Sequence, residues 1–150
     1  MLSLNLPTFA AKVKEKDGKH TIFDPVRRKY VALTPEEWVR QHFVNYLITH
    51  KEYPKELLAN EVPLKLNGTS KRCDSVAYNR FLAPLMIVEY KAPTIEITSA
   101  VFDQIVRYNM VLHVRYLAVS NGISHFCCKI DYENFTYSFL EGIPEYKELE

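Results

Sequence analysis

Glycine is scarce in this chain, with four in 150 residues, which excludes flexible linkers, collagen-like repeats and loop-dominated folds. Cysteine is nearly absent too. Cys73, Cys127 and Cys128 leave two neighbours and one odd residue, with no C-x-x-C pair. That excludes a disulfide framework and a cysteine zinc site, and it points to a reducing compartment. No apolar run reaches membrane-spanning length, and MLSLNLPTF at the N-terminus has no basic stretch ahead of a long apolar one. Neither a membrane partner nor a secretory signal is expected, and the reading is a cytoplasmic protein. Net charge is only +1, which excludes a globally basic nucleic-acid binder. There is no internal repeat and no G-x-x-x-x-G-K-[ST] loop for nucleotide phosphates.

What is present suits one compact domain over residues 1–150: 47% hydrophobic, 25% charged and 13% aromatic residues. The charge is uneven. Residues 12–29 hold Lys12, Lys14, Lys16, Lys19, Arg27, Arg28 and Lys29 against Glu15, Asp17 and Asp24, whereas residues 131–150 are acidic apart from Lys147. A positive front end can meet phosphates; it can equally be a solvated lysine-rich hairpin. Arg27 and Arg28 belong to the same stretch and are candidate DNA contacts.

Periodicity and turn chemistry predict the elements. Asp17-Gly18 predicts a hairpin between 10–16 and 19–24, with a short strand at 28–32. Thr34 as N-cap, Pro35 at the first helical position, and Glu36 and Glu37 in the first turn predict a helix to about residue 50. Glu37, three after Thr34, completes a capping-box pattern. Strands follow at 60–66, 72–79 and 84–90, the last apolar enough to be central. A helix at 98–112, with Val101, Ile105, Tyr108 and Leu112 on one stripe, precedes strands at 114–120, 124–130 and near 135–139. This order predicts an α/β fold: a mixed central sheet flanked by helices, with a right-handed parallel crossover from 84–90 to 114–120.

One constellation carries chemistry. Glu89 and Lys91 lie two apart on a strand and project to the same face. If 72–79 and 84–90 form a hairpin about 79–83, Asp74 lies opposite them. Two carboxylates and an amine then converge where a buried strand meets a crossover helix. Phosphodiester hydrolysis needs a hard cation to neutralise phosphate and acidify water. Mg²⁺ takes oxygen ligands and keeps several waters, so two carboxylates suffice, with Mn²⁺ as a substitute. A lysine beside the metal can orient or deprotonate that water. Taken alone, an E-x-K pair is more often a surface ion pair, but the preceding Met86-Ile87-Val88 predicts burial, where an idle Glu and Lys are costly. Gln104 and Tyr108, four apart on the next helix, add a second polar pair.

The string Arg72-x-Asp74, Ile87-Val88-Glu89-Tyr90-Lys91-Ala92-Pro93 and Gln104-x-x-x-Tyr108 resembles the PD-(D/E)XK nucleases. It is most similar to the N-terminal nuclease domain of type I restriction enzyme R subunits and their stand-alone relatives. Thr34 to Gln41 and Tyr53-Pro54 resemble the same group, so the similarity covers about residues 22–122. The resemblance implies a restriction-endonuclease-like α/β core, with the N-terminal hairpin and acidic C-terminus as extensions. It implies Asp74 and Glu89 as Mg²⁺ ligands, Lys91 as the catalytic lysine, and Gln104 and Tyr108 as the helix motif. Glu36 or Glu37 would complete the metal site, and Arg72 would sit at the DNA. Cys73 stands where the family's nominal Pro precedes the Asp. A translocase domain is not expected in this chain.

The resulting expectation is a Mg²⁺-dependent deoxyribonuclease acting on DNA, with a homodimer compatible because duplex cutting often takes two sites. Two rivals remain: a non-catalytic nucleic-acid-binding module of the same fold, and a protein-interaction domain that dimerises through its aromatic tail. The five histidines share no metal-ligand spacing. Trp38 is read as core, interface, or a cover for the site entrance.

Overall fold

A computed structural model of the chain describes residues 2–150. Three short strands come first, β1 (Val13–Lys16), β2 (Lys19–Asp24) and β3 (Lys29–Ala32), and they form a separate antiparallel sheet. Asp17 and Gly18 both take positive φ, 54° and 76°. That is the type I′ geometry that matches strand twist, which is why this dipeptide closes the hairpin.

Helix α1 (Pro35–His50) starts where its caps predict: the Glu37 N–H donates to Thr34 Oγ1 at 3.1 Å. The capping box is only half made. The Glu37 side chain turns inward to Arg27, Arg40 and Gln41. A 3₁₀ turn at Lys55–Leu57 then leads into β4 (Leu58–Leu66) and β5 (Thr69–Tyr78). These strands run closer to their turn than the spacing predicts, because Asn67 and Gly68 form another two-residue positive-φ turn, at 49° and 80°. β6 (Pro84–Tyr90), α2 (Ser99–Asn109), β7 (Tyr116–Ser120), β8 (His125–Asp131) and β9 (Thr136–Phe139) complete the chain order.

The main sheet has six strands in the order β4-β5-β6-β7-β8-β9. β6 and β7 pair in parallel across the α2 crossover, and the other pairs are antiparallel. The mixed α/β architecture is therefore the expected one. One face packs on α1, where Val39, Phe43, Val44 and Leu47 meet Met86, Val88 and Ala118. The other packs on α2, where Phe102, Ile105 and Val106 meet Val76, Ile87 and Leu117. The inward stripe of α2 is thus Phe102, Ile105, Val106 and Asn109, rotated from the predicted one. Tyr108 is exposed. α2 also ends early, passing into a 3₁₀ turn at Met110–Leu112 that His113 closes at φ 53°.

The acidic tail is largely exposed and anchored at a few points. Ile143 and Leu149 are buried on the α1 side, and the Tyr53 hydroxyl donates to the Pro144 carbonyl at 2.9 Å. Trp38 covers the N-terminal segment, not the site, since its indole N–H donates to the Leu2 carbonyl at 2.9 Å. Among the described residues, no helix is long and apolar enough to cross a membrane. All three cysteines are buried and free.

Candidate functional site

The β5–β6 hairpin forms about residues 79–83, held by Asn79 Oδ1, which accepts from the N–H groups of Phe81 and Ala83 at 2.9 and 3.0 Å. Its register pairs Ser75 with Val88, and one step further sets Asp74 opposite Glu89. Paired residues of antiparallel strands share a face. That face is the α2 side, because the flanking Val76, Ile87 and Val119 all pack there.

Two contacts define the geometry. The Tyr90 N–H donates to Asp74 Oδ2 at 2.9 Å. Lys91 Nζ lies 3.5 Å from Glu89 Oε2, with side chains 36% and 26% exposed. Burial is the largest influence on both acids, and it raises each above the ordinary carboxylate range. The Tyr90 N–H and the Arg40 charge only partly offset it at Asp74. At Glu89, Lys91 pulls the other way, while the charge of Asp74 pushes further up. Burial thus disfavours the charged form of both acids, and a bound cation would offset that penalty.

Asp74 also opens into a polar cleft lined by Thr34, Glu36, Arg40, Glu61, Asp74 and Tyr90. Glu36, exposed at the start of α1, reaches the same cleft as Asp74. Glu37 does not. It is buried, accepting from Arg27 at 2.7 Å, from Arg40 at 2.8 and 3.0 Å and from Gln41 at 2.9 Å. Its expected role as a metal ligand is corrected to that of a structural anion. Arg27 is corrected likewise: its guanidinium, 17% exposed, is committed to Asp24 and Glu37. Arg28 is exposed at φ 56° in the turn before β3. Arg72, 66% exposed, donates to Glu61 Oε2 at 2.9 Å at the cleft rim.

Gln104 and Tyr108 both stand on the exposed side of α2. The Tyr108 ring lies under Lys71 of β5, with Nζ 3.4 Å from its centroid. The polar residue that α2 points toward Glu89 is Asn109, which favours the charged form of that acid and donates to the Ile105 carbonyl at 2.8 Å.

Sequence reasoning missed Arg40 and Glu61. Arg40 is buried and donates to Glu37, to Glu61 Oε1 at 2.8 Å and to the Asp74 carbonyl at 2.6 Å. It thereby ties α1 to β4 and β5 at the site. Glu61 sits mid-strand at φ 56°, a strained conformation for a residue with a side chain. The available signal was the i,i+3 spacing of Glu37 and Arg40, which by itself reads as an ordinary helix pair.

Among the described residues, no three His, Cys, Asp or Glu side chains are grouped closely enough to hold a metal by themselves. The donor set is two hard oxygen carboxylates with an amine beside them. That fits a cation which keeps water and phosphate oxygens in its remaining positions, as Mg²⁺ does. It does not fit zinc, which takes a closed protein cage or three protein ligands. A larger concavity of about 630 Å³ lies at the far end of β6, among Asn79, Arg80, Pro84, His113 and Arg115. Glu150 is the one acid in its lining, so it offers no pair of carboxylates.

Comparison with known proteins identifies a family and a fold. The family sequence model described as type I restriction enzyme R protein N terminus (HSDR_N) matches residues 35–144. No curated protein matches the chain. A solved structure described as a fragment of an HsdR subunit of a type I restriction enzyme from Vibrio vulnificus YJ016 superposes with a TM-score of 0.53 at 20% identity. The alignment covers 78% of this chain and 24% of that one, so the chain spans about a quarter of that fragment.

Proposed function

The chain belongs to the family of type I restriction enzyme R protein N termini, and from that premise we propose that it is a Mg²⁺-dependent nuclease of PD-(D/E)XK type that hydrolyses DNA phosphodiesters. The observation that carries this reading is the Asp74–Tyr90 hydrogen bond at 2.9 Å. It holds one carboxylate against the strand that presents Glu89 and Lys91 on the same side.

Asp74 and Glu89 would hold the cation, while Glu36 lines a cleft at the start of α1 that Asp74 also lines but Glu89 and Lys91 do not. Mg²⁺, or Mn²⁺ in its place, supplies charge neutralisation at the phosphate and a water of lowered pKa. Lys91 sits where its ammonium can orient the attacking oxygen or stabilise charge that builds on the phosphate oxygens. Glu89, 3.5 Å away, keeps that ammonium in place. Arg40 bonds the Asp74 carbonyl and fixes the strand that carries the carboxylate. Gln104 and Tyr108 offer neutral donors on the adjoining helix face. Arg72 and Arg28 remain exposed for backbone phosphates, and duplex cutting would call for a second copy of the site.

The test is plasmid cleavage with Mg²⁺ or Mn²⁺ by the wild type, Asp74→Ala and Lys91→Ala. Nicking or linearisation by the wild type, reduced at least about a hundredfold in both variants, is expected from the loss of charge stabilisation. Equal cleavage in all three, or none across supercoiled, linear and single-stranded DNA, sinks the catalytic reading and leaves a non-catalytic module of the same fold.

A further inference from the structure

The small N-terminal sheet has two unlike faces. Its register pairs Lys14 with Thr21, Lys16 with Lys19, and Phe23 with Tyr30. Directly paired residues share a face, and alternate residues along a strand join them. Lys14, Lys16, Lys19, Phe23 and Tyr30 therefore stand together. Contacts agree: Lys14 Nζ lies 4.2 Å from the Tyr30 ring centroid, and Lys12 Nζ lies 5.5 Å from that of Phe23. The two rings meet edge to face at 5.3 Å. The acids of this segment lie elsewhere. Glu15 is on the other face, 3.4 Å from His20, Asp24 is fully buried, and Asp17 is in the turn. One exposed face thus carries four lysines and two aromatic rings with no carboxylate among them, and among the described residues none of these lysines makes an ion pair.

Folding alone does not favour this arrangement. Lys16 directly opposite Lys19 is destabilising. Lysines on an edge strand deter unwanted pairing, which accounts for Lys14 and Lys16 on β1. It does not account for Lys19 on the central strand or for the ring pair.

The sheet is also fixed to the candidate site. Asp24 accepts from Asn60 of β4 at 3.0 Å and from Arg27. Arg27 donates to Glu37 at 2.7 Å, Glu37 accepts from Arg40, and Arg40 reaches the Asp74 carbonyl at 2.6 Å. A chain of buried charges runs from the back of the lysine face to the strand that bears Asp74.

We propose that the outer face of the β1–β3 sheet is a sequence-independent nucleic-acid-binding surface. Lys12, Lys14, Lys16 and Lys19 grip backbone phosphates, and Phe23 and Tyr30 offer ring surface to sugars or unstacked bases. The phosphodiester chain as ligand rests on the nuclease reading above, but binding is measured without turnover. Mixed charge elsewhere leaves the whole molecule near neutral, so this face concentrates the positive charge that overall composition hides.

The experiment is fluorescence anisotropy of labelled duplex and single-stranded oligonucleotides, in EDTA, across a salt series. The proteins are wild type, Asp74→Ala, the single variants Lys14→Ala, Lys16→Ala and Lys19→Ala, their triple combination, and a remote control, Lys55→Ala with Lys147→Ala. For duplex, each lost phosphate contact makes the slope of log K against log salt shallower by about 0.9. The triple variant should therefore lose roughly 2 to 3 in slope and at least about tenfold in affinity. Unchanged slope in the triple variant overturns the proposal. So does a loss no larger than that of the remote control, or a loss seen only with phosphatidylserine vesicles. Failure of the nuclease reading shows differently: oligonucleotides bind through the lysines, yet wild type and Asp74→Ala do not differ in cleavage.

Discussion

The Tyr90 N–H donates to the Asp74 carboxylate at 2.9 Å, so the residue between Glu89 and Lys91 also orients the acid that faces them. One strand thereby contributes two side chains to the site and, through its backbone, fixes the third. An amide oxygen can accept the same hydrogen bond.

Asp74→Asn should therefore fold like the wild type and be at least as stable at neutral pH. Burial raises the Asp74 pKa above its ordinary 3.8. An acid whose folded value is raised binds its proton more tightly when folded, so its ionised form weakens the fold as pH rises. Removing the charge should raise the melting temperature at pH 7. That gain should shrink as pH falls through the raised value and vanish below about 3.8. Titration calorimetry with Mn²⁺ should show binding lost in the same variant. A less stable variant at pH 7, or one that binds Mn²⁺ as wild type does, contradicts this account.

Glu37 behaves in the opposite sense. Burial tends to raise its pKa, but hydrogen bonds from Arg40, Gln41 and Arg27 outweigh burial and hold it below 4.5. Asp24 is likewise held low by Arg27, Asn60 and the Val26 N–H, against a large opposing effect of burial. Carboxylates with depressed folded values contribute stability above their unfolded pKa and lose it as pH falls through the folded one. Urea unfolding should show wild-type stability falling below about pH 4.5. Glu37→Ala should cost about 3–5 kcal/mol at neutral pH, as loss of one partner from a buried ion pair does, and its acid limb should be flatter. A cost under about 1 kcal/mol would place Glu37 with ordinary surface pairs.

These two acids show what was legible in the sequence and what was not. Local chemistry was legible. Thr34 and Pro35 start α1, Asn67-Gly68 turns β4 into β5, and the apolar 84–90 run is a central strand paired in parallel with β7. Asp74, Glu89 and Lys91 could be set on one face because strand alternation and a hairpin turn are local rules. Long-range pairing was not legible. Nothing in the spacing says that Arg27 turns inward to Glu37, that Arg40 reaches a carbonyl on β5, or that Glu61 adopts positive φ within a strand. Those outcomes depend on which charges meet once the sheet has formed. The α2 stripe was legible in part: Ile105 and Leu112 are buried and Val101 packs against the same core, but Tyr108 faces out and Phe102 and Val106, which meet the sheet with β8 and β9, were not foreseen.

Glu61 provides a test of that strained position. At φ 56° a glycine has no Cβ penalty, whereas an alanine retains it, at about 1–2 kcal/mol. Both substitutions lose the contacts to Arg40 and Arg72. Glu61→Gly should therefore be more stable than Glu61→Ala by about 1 kcal/mol in chemical denaturation, the reverse of the order in a regular strand interior. The usual order, with alanine the more stable, would mean that the backbone relaxes to an extended conformation once the side chain is gone.

Tyr108 separates fold from function more cleanly than any buried member of the site. Tyr108 is 57% exposed and stands outside the α2 core, and Gln104 beside it is exposed as well. Substitutions at such positions typically change stability by less than about 0.5 kcal/mol. Tyr108→Phe and Gln104→Ala should melt within about 2 °C of the wild type, near the shift that half a kcal/mol gives in a domain of this size. If these side chains donate to a charged phosphate, each loss removes about 1.5–3 kcal/mol of stabilisation, which is roughly 10- to 100-fold in cleavage rate. Tyr108→Phe keeps the ring under Lys71, so a rate loss in that variant assigns the effect to the hydroxyl. Full activity in both variants would remove α2 from the site and confine the chemistry to β5, β6 and the start of α1.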